Sequence, residues 1–210
     1  MDDFVAFASR SYGIFFLLLA ASRSMDFLST WIATPNLVLE GNPIAKKLGW
    51  RWGILANIAF CFGLAFWPVS AVAVSTTSVL VAARNFQSAW LMRSIGEGVY
   101  RDWHVARIQE TRVTLYLFCL AGNTLLTAAV GTGVIYFSNR WIPFAIGLGI
   151  IAYSVAVAFY TLLAVWRLRR AVDRRPRSEP ALPRPANIGI SGKVDLNEVF
   201  AGEAPHRPGR

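Results

Sequence analysis

Charge is scarce in this chain: Asp, Glu, Lys and Arg make up 16% of its 210 residues, while 55% are hydrophobic. An ordinary soluble domain is about 25% charged, so most of this sequence is short of the side chains that keep a folded surface in water. Cysteine is almost absent. The two present, Cys61 and Cys119, both lie inside apolar runs, where they act as small hydrophobes and supply neither a disulfide framework nor a zinc finger. Signatures of common chemistries are missing as well. There is no His-Glu-x-x-His, no Gly-x-Ser-x-Gly elbow, no Walker loop and no Gly-x-Gly-x-x-Gly; Gly131-Thr132-Gly133 stops short and sits in the middle of an apolar run. No metal and no cofactor is expected.

Long apolar runs take the place of these features. A membrane-spanning helix needs about 20 mostly apolar residues, because the hydrocarbon core is about 30 Å thick and each residue rises about 1.5 Å. Five segments approach that requirement: Tyr12–Ile32, Trp50–Trp67, Val69–Met92, Val113–Phe137 and Trp141–Trp166. The fourth and fifth contain no charge, the second is short, and the third is polar in its second half. The sequence therefore predicts an all-α transmembrane bundle over residues 1–170, with five spans favoured over four. Residues 171–210 are rich in Pro and Arg and cannot bury a core, which predicts a disordered basic tail.

The boundary between the second and third spans decides the count. Gly53 to Val81 is one charge-free run. Pro68 lacks a backbone donor and disfavours helix at the residue before it, and Trp67 is of the type that prefers the membrane–water interface. A break at Trp67–Pro68 follows.

Basic residues give an independent reading. Of 21 Lys and Arg, ten fall in residues 167–210 against five acids, and that stretch carries +5 of the net +9. A pI near 10.3 is compatible with nucleic acid, but basic residues flanking apolar spans are what orient a membrane protein, so no nucleic-acid partner is expected. With five spans and a cytoplasmic tail, the inside segments hold Lys46, Lys47, Arg51, Arg93, Arg101, Arg107 and Arg112, and the outside segments only Arg10 and Arg140. Four spans put Lys46, Lys47 and Arg51 outside. The expected location is a bacterial inner membrane with the N-terminus outside and the C-terminus cytoplasmic. Ile14–Ala21 followed by Ser22 resembles a signal-peptide core and cleavage site, yet the leader begins with Asp2 and Asp3 where positive charge is expected.

Ionisable residues inside a membrane cost on the order of 3 kcal/mol and are candidates for function. The first span holds Arg23, Asp26 and Thr30 at helical spacings of three and four, so they share a face and Arg23 and Asp26 are placed to neutralise each other. The third span holds Arg84, Asn85, Gln87 and Ser88. Asn57 and Asn123 are lone amides, expected to bond neighbouring helices. Asn42 followed by Pro43 reads as an N-cap and first helical residue, with Glu40 just outside the cap. The five-span topology opens Asp26, Thr30, Arg84, Ser88, Glu40 and His104 to one side. On the fifth span, Ala145, Gly149, Ala152 and Ala156 include small residues four apart that permit close helix approach.

Asp26-x-x-x-Thr30 followed by Glu40-x-Asn42-Pro43 resembles a group of small prokaryotic membrane proteins of unknown function. The resemblance covers about the first 50 residues and rests on five positions. It implies that the two elements belong together and supplies no activity. Three functions are compatible with these residues. The first is an assembly or regulatory membrane partner without chemistry of its own, whose partners are the bilayer and a second membrane protein or copy. The second is a small-solute or ion pathway along the polar faces. The third is an intramembrane or lipid-modifying enzyme, with Asp26 or Glu40 as general base and Arg84 holding a phosphate or carboxylate.

Overall fold

The computed structural model describes residues 4–40 and 42–173. Among them are six helices and no strands: α1 (Arg10–Ala33), α2 (Pro43–Leu64), α3 (Pro68–Ile95), α4 (Glu97–Glu110), α5 (Val113–Tyr136) and α6 (Trp141–Asp173). Four of them, α1, α3, α5 and α6 up to Arg167, are long and apolar enough to cross a membrane. They mark the chain as a membrane protein. The expected tail, residues 171–210, falls outside the described residues apart from the last turn of α6.

Local chemistry sets the helix ends. Ser9 caps α1 by accepting a hydrogen bond from the Tyr12 amide at 3.1 Å, which satisfies one of the donors a helix start leaves open. Asn42 caps α2 by accepting from the Ile44 amide at 3.0 Å, and Pro43 fills the first helical position. Trp67 ends the turn after α2 and Pro68 opens α3, so the chain breaks at the dipeptide where proline chemistry requires it. Gly49 interrupts α2 with φ 66°, a conformation that glycine adopts without the Cβ clash of other residues. The bend separates a basic first turn and a half, with Lys46 and Lys47, from the apolar remainder.

The directions of the helices follow from cross-contacts. Arg23 of α1 meets Ser78 of α3, and Thr30 meets Asn85. The step is seven residues along both helices, so α1 and α3 run parallel. In contrast, α2 runs against α1: Tyr12 donates to the Phe62 carbonyl at 3.1 Å, Arg23 meets Asn57, and Phe27 packs on Trp50 with ring centroids 6.1 Å apart. At one end the Val5 amide donates to the Phe66 carbonyl at 3.0 Å; at the other, Trp50 Nε1 donates to the Pro35 carbonyl at 2.9 Å. Helices α5 and α6 are antiparallel, with Ser154 donating to the Thr124 carbonyl and Gly131 facing Gly147. Phe15 packs on Trp141 at 6.1 Å, which sets the start of α6 beside the start of α1.

Small residues bring these backbones together. The α3 face toward α1 carries Ala71, Ser75, Ser78, Ala82 and Ala89, all buried. On α6, Gly147 and Gly149 are two apart and serve different neighbours. A Cβ on Gly147 would lie 2.6 Å from the Gly131 carbonyl oxygen, and one on Gly149 would collide with the Ala73 carbonyl of α3. Ala145 is fully buried on the same helix, whereas Ala152 is exposed. Without a hydrophobic force between helices in lipid, such close contact is a main source of association. Gly147→Ala is therefore expected to destabilise the protein by about 1–3 kcal/mol. Gly63→Ala, which meets nothing within 4 Å, is expected to leave stability unchanged; thermal unfolding in detergent compares the two.

Candidate functional site

Arg23 lies near the midpoint of α1, on the face shared by α2 and α3. Its guanidinium bonds to three helices. Nη1 donates to Asp26 Oδ2 at 2.9 Å and to Ser78 Oγ at 3.3 Å; Nε donates to Asn57 Oδ1 at 2.7 Å. The Arg23–Asp26 pair is an i,i+3 ion pair with only 26% and 16% of the two side chains exposed. The spacing that puts the two residues on one helical face thus also closes their charges on each other. Asn57 is the neighbouring-helix amide, and its partner is a charge.

About two turns beyond Arg23 on α1, Ser29 and Thr30 accept hydrogen bonds from Asn85 Nδ2 at 3.3 and 3.2 Å. Ser29 is fully buried and its hydroxyl donates to the Asp26 carbonyl at 2.8 Å. A continuous polar seam therefore follows the α1–α3 contact from Ser78 and Arg23 through Asp26 to Asn85. Glu40 lies in the connection that follows α1, and its carboxylate accepts from the Asn42 amide at 2.7 Å. Asp26, Thr30, Asn85, Glu40 and Asn42 thus occupy one end of the α1–α2–α3 group.

Other residues singled out from the sequence lie elsewhere. Arg84 is exposed on α3, turned from the face that carries Asn85. Ser88 donates to carbonyls of its own helix, Arg84 and Asn85, at 3.4 Å. His104 sits on α4, exposed, with its ring stacked on Tyr100 at 5.9 Å and 9°. Partial desolvation of the imidazole holds its pKa below the ordinary value, which favours the neutral form at pH 7. No group of three His, Cys, Asp or Glu side chains among the described residues gathers as metal ligands would.

Glu97 is the residue that sequence reasoning missed. It opens α4 after Gly96, whose φ of 91° makes the turn from α3. Its carboxylate accepts from Thr34 Oγ1 at 2.9 Å, from the Asn36 amide at 3.1 Å and from the Val38 amide at 3.4 Å. Thr34 Oγ1 accepts in turn from the Leu39 amide at 3.1 Å. One acid thereby holds the α1–α2 connection against the α3–α4 junction, across more than 55 residues of sequence. The available signal was the connection itself, Thr34-Pro35-Asn36-Leu37, whose backbone donors have no helix to satisfy them.

Comparison with known proteins returned no match, neither a family model, nor a curated relative, nor a solved structure.

Two predictions come from this geometry. Removing one partner of a buried ion pair strands the other charge, whereas removing both does not. Arg23→Leu is expected to cost about 3 kcal/mol or more, and Arg23→Leu combined with Asp26→Leu markedly less, as read by unfolding in detergent. Glu97→Gln is expected to raise hydrogen exchange at the Asn36 and Val38 amides while leaving the amides of α5 and α6 protected.

Proposed function

We propose that the chain is a five-span integral membrane protein of the bacterial inner membrane that acts as an assembly or regulatory partner rather than through chemistry of its own. The span count rests on direction. Two helices that cross a bilayer in the same sense need a return crossing between them, and α2 is the only helix between the parallel α1 and α3. Its apolar portion after Gly49 lies along α1 from Phe27 to Tyr12, a path of about 22 Å that covers most, though not all, of a hydrocarbon core about 30 Å thick. Basic residues support the orientation. Lys46, Lys47, Arg51, Arg93, Arg101, Arg107, Arg112 and Arg167 all belong to the end where α1 finishes, and Arg10 and Arg140 to the other, which favours the former as cytoplasmic.

The observation that carries the functional reading is the closure of the Arg23 network within the chain. Every hydrogen bond of that guanidinium goes to Asp26, Asn57 or Ser78. The most costly charge in the bundle is spent on fastening α1, α2 and α3 together. A general base in an enzyme must be available to substrate, and Asp26 is bound to Arg23. Arg84, the candidate anion holder, faces away from it.

A second reading has its own support. The seam of Asp26, Ser29, Thr30 and Asn85 leads toward Glu40 at the cytoplasmic end, as a pathway for a small cation or proton would. The two readings separate on Asp26→Asn reconstituted in proteoliposomes. The assembly reading expects loss of stability and of yield, with no solute- or proton-dependent flux in the parent protein for the variant to abolish. A variant that accumulates and folds like the parent but loses a flux the parent carries would establish the pathway instead.

A further inference from the structure

We infer that α5 is the dimerisation helix, pairing with α5 of a second copy through a heptad seam centred on Asn123. This deepens the assembly reading by naming the partner, but it rests on α5 alone and not on the Arg23 network. Tyr116, Cys119, Asn123, Leu126, Val130 and Gly133 recur at alternating steps of three and four. That is the spacing of a two-helix seam with knobs-into-holes packing. The seam is turned away from α6, which meets the opposite flank of α5 at Thr124 and Gly131. Its middle is open: Leu126 is 72% exposed, Val130 61%, and Asn123 and Cys119 are exposed as well, while Tyr116 and Gly133 at its two ends are half-buried.

Asn123 identifies the occupant. It lies at the middle of α5, in a span without a single charge. Among the described residues its side-chain amide makes no hydrogen bond; only its backbone carbonyl is used, by Thr127. Lipid tails offer nothing to an amide, and an unsatisfied polar group at that depth is costly. An amide presents both a donor and an acceptor, so two of them facing each other satisfy both. Copies of one chain share one orientation in the membrane, which brings Asn123 to the same depth in each and makes the contact a self-complementary twofold. A single Asn at such a seam position also fixes register and favours two strands.

The test uses the full-length protein in mild detergent and in native membranes. Light scattering is expected to give a dimer, and Asn123→Leu to weaken dimerisation by roughly 3- to 30-fold, the range of interhelical amide bonds in membranes. Val130→Trp, at an exposed seam position, is expected to weaken it too while helix content stays unchanged by circular dichroism. Mild oxidation in membranes is expected to yield a disulfide-linked dimer that Cys119→Ser abolishes and Cys61→Ser does not. A monomer at all protein concentrations overturns the proposal, as does a dimer indifferent to both seam substitutions or one without a Cys119 cross-link. A monomer whose stability still depends on the Arg23–Asp26 pair would leave the assembly reading standing with a different partner.

Discussion

A guanidinium at the middle of an apolar bundle has no water to bond with, so its acceptors must come from the protein. Arg23 finds a carboxylate three residues along its own helix, an amide on α2 and a hydroxyl on α3. The other features of the α1–α2–α3 group depend on this requirement. Asn57 must come within hydrogen-bonding distance of Arg23, which holds α2 along α1, and Ser78 must do the same, which sets the level of α3. Seven residues on, Asn85 reaches Ser29 and Thr30 in the same register. Two polar layers at equal spacing leave α3 little freedom to slide past α1.

Close backbone approach at glycine holds the other half of the bundle. Gly131 against Gly147 and Gly149 against the α3 backbone admit no Cβ, so α6 sits in close contact with α5 on one flank and α3 on another. Thr77 donates both to its own helix at Ala73 and to the Gly149 carbonyl at 2.9 Å, which adds a polar tie where the backbones are nearest. The two devices are complementary. Polar bonds specify register between α1, α2 and α3, and glycines specify approach between α3, α5 and α6.

Much of this was legible in the sequence, and the reasons differ by element. Both ends of α5 and the start of α6 follow from long charge-free runs, whereas α6 continues past Trp166 through Arg167 to Asp173; the start of α3 follows from the effect of Pro68 on its predecessor. The Arg23–Asp26 pair was visible because helical periodicity alone brings the two residues to one face. Partners on other helices were not, because periodicity carries no information about which face meets which neighbour. Asn57 was legible as an amide that would bond a neighbouring helix, but its partner Arg23 and the role of Ser78 emerge only with α2 and α3 set against α1. Helix α4 lies between the expected third and fourth spans and was not anticipated, because its charged residues, Arg101, Asp102, Arg107 and Glu110, mask the apolar positions Val99 and Trp103. Glu97 escaped for a different reason: its role depends on Thr34, Asn36 and Val38, 59 to 63 residues earlier.

The parallel course of α1 and α3, with α2 returning between them, is the central claim. Its most direct measurement is the accessibility of single cysteines in intact cells, introduced into a background carrying Cys61→Ser and Cys119→Ser. Glu40→Cys and His104→Cys are predicted to be shielded from a membrane-impermeant thiol reagent until the cells are opened, and Ser138→Cys to react at once. Labelling of Glu40→Cys from the side opposite to His104→Cys would contradict the return crossing of α2 and, with it, the single polar group that Arg23 organises.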